Sequence, residues 1–143
     1  MSSYDKIISV FLDLITEYGF IDYTYEQLKD ELSLRVRMVI AKARVLKDLT
    51  FIEDIYEFSR ELTDQECFLI AYGLVEFWVA PKVNNVELFK AQMSSKDFTQ
   101  FSNANRLNSL MELRTDARIE FNSIVVDYDY DTCDLFGDKL WII

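Results

Sequence analysis

With 143 residues the chain is about one domain by length, and it is long enough to bury a core without disulfide or metal staples. Half of its residues are hydrophobic and 15% are aromatic, which excludes a disordered chain, while three Gly and one Pro leave little turn material for an all-β fold. The net charge of −10 disfavours general nucleic-acid binding, because phosphate repels an acidic surface.

Ser2 or Ser3 can cap a first helix with Asp5 in its first turn. Ile7, Val10, Phe11, Leu14 and Ile15 recur at helical spacing and give it one apolar stripe; Gly19 stops it. Thr24 and Gln27 form a capping box that opens a second helix, expected to run to about Lys47. That helix carries two stripes. Leu34, Met38, Ala41 and Val45 form one, and Val36, Val39, Ile40 and Ala43 form another on roughly the opposite side. Arg35 with Lys42, and Arg37 with Arg44, occupy the seams between them. One stripe suits the core; the other needs a partner, either another helix of the chain or a neighbouring subunit.

Asp48 to Leu62 reads as a packed acidic loop with one helical turn. Thr63 and Glu66 then form a further capping box, and from Cys67 to Ala80 only Gly73 and Glu76 interrupt an apolar run. A helix apolar all round is buried all round. The run falls short of the ~20 residues needed to cross a bilayer, so it reads as the central buried helix, with Pro81 kinking rather than ending it. Residues 94–105 are polar with Phe98 and Phe101 as anchors. Ser102 or Asn103 can cap a last helix, spaced by Leu107, Leu110, Met111, Arg114, Ala117, Arg118 and Phe121 and expected to end near Val126. The rest is an acidic tail ending on Leu140, Trp141, Ile142 and Ile143, a compact apolar group at a chain end.

Chemistry has little to work with. There is no histidine, which removes the commonest general base and transition-metal ligand, and no glycine run suits a phosphate. Cys67 and Cys133 suggest neither a disulfide framework nor a zinc knuckle, and Cys67 reads as a small buried hydrophobe. Asp127, Asp129, Asp131 and Asp138 fall near EF-hand spacing, but Thr132 stands where the tight turn wants Gly. Residues 127–131 read instead as an extended segment with tyrosines on one face and aspartates on the other. The expectation is a non-enzyme without cofactor or metal. The basic run Arg35 to Lys47 is matched by acids in 48–66 and in the tail, so it reads as ion pairing within or between subunits. The N-terminal apolar stretch contains acids and no basic leader, so no signal peptide is expected; with free thiols, the cytoplasm is the expected compartment.

The Leu62, Thr63, Asp64, Glu66 start, the apolar helix with Trp78, then Ser95–Phe98 (SKDF), Phe101–Asn105 (FSNAN) and a leucine-spaced helix together resemble head–tail connector proteins of tailed bacteriophages, over roughly Ser3 to Val126. The resemblance implies a small, mainly helical virion protein that forms a homo-oligomeric ring beneath the portal in the neck, assembled in the host cytoplasm. Its partners would be copies of itself, the portal and neighbouring neck or tail proteins, with DNA at most passing through the ring lumen. Extended arms or terminal tails commonly engage neighbours in such proteins, and no catalytic residue carries over. The expected architecture is all-α: about four helices in a connector domain (1–126) and an acidic C-terminal arm (127–143) that adds a β-strand to a partner. Expected interface residues are Arg35, Arg37, Lys42, Arg44, Asp127, Asp129, Asp131, Leu140, Trp141, Ile142 and Ile143. The alternative is a small cytoplasmic helical interaction module that binds one protein partner.

Overall fold

Capping chemistry sets the helix starts in the computed structural model, which describes residues 2–18, 23–92 and 104–132, with side chains described for 2–18, 23–83 and 108–131. The Ser2 hydroxyl accepts the Asp5 amide at 3.2 Å and opens α1 (Ser3–Glu17). The Thr24 hydroxyl and the Gln27 side chain cap reciprocally at the start of α2 (Tyr25–Ser33). α3 (Val36–Ala43) follows, then a hairpin of β1 (Phe51–Ile52), a 3-10 turn at Glu53–Ile55 and β2 (Glu57–Phe58). Two long helices, α4 (Asp64–Gln92) and α5 (Ala104–Thr132), complete the described chain. The protein is therefore mostly helical, with one small antiparallel pair among the described residues, Phe51 opposite Phe58 and Ile52 opposite Glu57.

α4 is the axis of the fold. Leu69, Ile70, Ala71, Leu74, Val75, Trp78 and Val79 are buried. The run is not buried all round as expected: Tyr72 and Phe77 are half-buried and Phe68 is 45% exposed, because no described element covers that side of the first turns. The helix continues through Pro81, whose missing amide forfeits one backbone bond, and Val83 beyond it is again buried. α1 packs Ile7, Ile8, Phe11 and Ile15 against this axis, with the Phe11 and Tyr23 rings edge-on to Trp78 at 5.5 and 5.2 Å. α5 runs antiparallel to α4, so that Tyr128 meets Glu66 near one end while Arg118 meets Glu76 further along. Gly73 lets α3 and α5 close on α4 together. A Cβ there would lie 2.5 Å from Val39 Cγ1 and 2.9 Å from Phe121 Cε2, both too close to tolerate.

The hairpin docks on α1 through aromatic rings: Tyr4 lies 5.2 Å from Phe51 and stacks on Tyr56 at 5.6 Å. Its turn closes with Tyr56 in the left-handed region at φ 53°. The sequence suggests a loop with one helical turn here; that turn is 3-10, and short strands flank it.

Two boundaries differ from expectation. The second helix does not run unbroken to Lys47. Ser33, buried, donates its hydroxyl to the Asp30 carbonyl at 2.7 Å, and Arg35 N–H bonds Leu32 O at 2.9 Å, three residues back instead of four. A serine that bonds the preceding turn and a tightened backbone together end α2 and restart the chain as α3. α3 then stops at Ala43, because Arg44 turns left-handed at φ 62°. At the other end α5 continues past Val126 to Thr132, so Asp127, Asp129 and Asp131 are helical rather than extended. That also removes the EF-hand reading, which needs a loop at these positions. The expected caps Ser102 and Asn103, the anchors Phe98 and Phe101, and Leu140, Trp141, Ile142 and Ile143 lie outside the described residues.

Candidate interaction surfaces

The α3 break decides which basic residues face inward. With Val36, Val39 and Ala43 in the core, Lys42 leans over α4 and α5, and its ammonium reaches Glu76 Oε2 at 2.6 Å. Arg118 from α5 approaches the other oxygen at 3.2 Å. Glu76 is only 8% exposed, so one carboxylate inside the apolar run holds two cations from two other helices. The Phe77 and Phe121 rings flank the same ammonium at 5.5 and 5.4 Å. Lys42 thus acts within the subunit.

The other predicted cations divide differently. Arg35 sits 3.9 Å from Glu31, one turn earlier. Arg37 reaches the Phe51 carbonyl at 3.4 Å and Glu53 at 3.5 Å, tying the outer edge of α3 to the hairpin. Arg44 is exposed and has no ion-pair partner among the described residues. It borders a cleft of about 620 Å³ with Lys47, Asp48, Arg60, Tyr128 and Asp129. Of the predicted pairings between this run and acids of 48–66, Arg37–Glu53 is present; Lys42–Glu76 and Arg35–Glu31 use acids outside that segment.

A second polar knot lies where α4 begins. Glu66, 1% exposed, accepts from Arg60 at 2.9 and 2.5 Å, from the Thr63 amide at 2.9 Å and from the Tyr128 hydroxyl at 2.8 Å. Burial pushes its carboxyl up, but the Arg60 guanidinium, the Thr63 amide and the Tyr128 hydroxyl together outweigh it and hold the group at about 2. Burial, and then this hydrogen bond, raise the Tyr128 phenol. Elsewhere Asp116 accepts the Tyr18 hydroxyl, which pushes that phenol up to about 12 and joins the end of α1 to α5.

Large apolar side chains stay outward at several points, Ile52 and Ile55 on the hairpin and Phe68 on α4 among them. Leu34, at the end of α2, and Met38, on the side of α3 away from Val39 and Ala43, are 67% and 50% exposed. On α5, Ile119 and Val126 are 59% and 66% exposed. At 3.6 residues per turn they fall within ~40° of each other, with Tyr130 alongside, roughly opposite Leu110, Ala117 and Phe121. Glu112, Asp116, Asp127 and Asp129 rim this stripe, and none of them pairs with a cation among the described residues. Asp131 takes Gln65 Nε2 at 3.5 Å.

The two apolar stripes of 34–45 are legible in the sequence, but not which of them faces the core; the structure puts Val36, Val39 and Ala43 inward. The α5 stripe was missed, although the seven-residue step from Ile119 to Val126 is its signal. In the sequence Glu76 reads only as a break in the apolar run. Leu113, not Met111, supplies the buried position in that part of α5.

Among the described residues no three carboxylates or thiols converge on a metal-sized site, and no helix is long and apolar enough to cross a membrane. Cys67 is buried, with its thiol pushed up to about 11 by that burial. No family model, curated protein or solved structure matches the chain.

Proposed function

We propose that the protein is a structural adaptor in the neck of a tailed phage, a non-catalytic helical bundle with a C-terminal arm that assembles as a ring below the portal. The observation that carries this reading is the number of large apolar side chains left outward on a small bundle, Leu34, Met38, Ile119 and Val126 among them. Such side chains are available for neighbours to cover in an assembly. The buried carboxylates support the same reading: Glu66 and Glu76 are consumed in joining helices, not aimed into a cleft. The phage assignment rests on the sequence resemblance, from the Leu62–Glu66 start through the residues of 95–105. Copies of the chain, the portal and adjoining neck or tail proteins are the partners, and DNA only traverses the lumen. The segment beyond Thr132, with Leu140, Trp141, Ile142 and Ile143, serves as the arm.

Disrupting the coding sequence in the phage tests the reading. The expected result is filled heads and free tails that do not join, with the protein found in normal particles by mass spectrometry and localised to the neck by immunogold labelling. Joined particles without the protein would overturn it, and would leave a helical module that serves a single cellular partner.

A further inference from the structure

The geometry points to a binding site for a linear aliphatic polyamine in the cavity between the end of α1, α4 and α5. Such a site stands whether or not the protein serves as an adaptor. The cavity holds about 350 Å³, inside the ~300–1,000 Å³ range of small-molecule pockets. Val75 of α4 and Leu113 and Ala117 of α5, all buried, form its floor, and half-buried Leu14 of α1 forms one wall. Tyr18 and Tyr72 add two rings at the sides. Around the mouth stand three carboxylates, Glu17, Asp116 and Glu120, and no Lys or Arg lines the cavity. None of the three carboxylates has an ion-pair partner among the described residues.

The polar groups are aimed at the same space. The Tyr18 hydroxyl holds Asp116 in place from across the groove. Burial, and then the Glu120 and Glu17 carboxylates, raise the Tyr72 phenol, so acids from α5 and from α1 both face that ring. The Tyr72 hydroxyl itself has no hydrogen-bond partner among the described residues. α1 also ends here with no basic residue in its last turn, so the negative end of its dipole adds to the three carboxylates.

These parts select the occupant. An anion is repelled. A metal ion gains nothing from an apolar floor, and among the described residues no three carboxylates converge on a metal-sized site. A single ammonium answers one carboxylate and leaves the others uncompensated. A methylene chain with ammonium groups at both ends and one within lays its hydrocarbon over Val75, Leu113 and Ala117 and reaches acids on both banks. Glu17 meets it from α1, and Asp116 and Glu120, one turn apart, meet it from α5. The two tyrosine rings favour a cation between them.

Calorimetric titration of the full-length protein with spermidine at low salt tests the site. One-to-one, saturable binding with a Kd below ~1 mM is expected. Hexaamminecobalt(III), of equal charge but without a methylene chain, should bind at least ~tenfold more weakly, because the floor contributes nothing to it. Glu17→Gln with Glu120→Gln should weaken spermidine about tenfold. Asp127→Asn with Asp129→Asn removes as much charge from α5 outside the cavity, and should change the affinity less than ~twofold. All four positions are exposed, and circular dichroism checks that helicity is retained. If the first pair unfolds the chain, Glu120→Gln alone replaces it. Absence of saturable binding, a cobalt complex bound as tightly as spermidine, or equal losses in the two variants would overturn the site; equal losses would reduce the effect to the general attraction of an acidic protein for cations.

Discussion

Single side chains on α3 and α4 have separable consequences. Trp78 is 1% exposed and meets two aromatic rings, whereas Phe77 is only half-buried beside Lys42. Trp78→Ala should therefore lower stability by about 3–5 kcal/mol in denaturant melts, and Phe77→Ala by less than half as much. Lys42→Glu sets a second carboxylate against buried Glu76 and should damage the fold itself; Arg44→Glu should leave the melting temperature nearly unchanged. Arg44 at φ 62° occupies a position that a glycine adopts without strain, so Arg44→Gly should stabilise the chain by ~0.5–1 kcal/mol. Glu66 provides the pH dependence. Its native carboxyl at about 2 lies below the ordinary ~4.3, so its stabilisation is complete above that ordinary value and fades as pH falls from there through about 2. Acid melts should show that limb, and Glu66→Gln should flatten it while costing about 1–3 kcal/mol at neutral pH. Equal acid limbs in the two proteins would count against the knot.

At the level of elements, the sequence was most readable where one local rule settles the matter. Ser2, Thr24 and Thr63 are followed three residues later by Asp5, Gln27 and Glu66, and all three helices start where these pairs place them. The α1 stripe follows from periodicity alone, and the central place of α4 from its apolar run. What could not be read depends on contacts between distant positions. The end of α2 turns on whether Ser33 bonds Asp30 or water, and Asp48 to Leu62 became a hairpin because Tyr4 offers Phe51 and Tyr56 a ring to pack on. The alternation of Asp127, Asp129 and Asp131 mimicked a strand, but Ile124 and Tyr128 keep helical spacing to the core. Of the candidate interface, periodicity shows that 34–45 carries two apolar stripes but not which one faces out, and assigning Lys42 requires knowing that Glu76 lies across from it. The element left to test is the tail. If it is an assembly arm, removing residues 139–143 should leave the melting temperature of the isolated protein unchanged and abolish incorporation into particles. A large drop in melting temperature would instead make it a cover for its own core.

For the molecule as a whole, α4 carries the connections: Glu66, Gly73 and Glu76 each receive groups from other elements, at successive points along one helix. Gly73→Ala should cost about 1–3 kcal/mol, because Val39 and Phe121 must both retreat and α3 and α5 move with them. The Glu66 knot has a further effect, on the time-dependence of the structure. Helix ends ordinarily fray first and exchange their amide hydrogens fastest. Here the Tyr128 hydroxyl fastens the final turns of α5 to the first turn of α4, so those two ends should open as one event and not independently. Hydrogen exchange should then show matched protection for the amides around Cys67 and around Tyr128, and Tyr128→Phe should accelerate both together while leaving those around Gly73 slow.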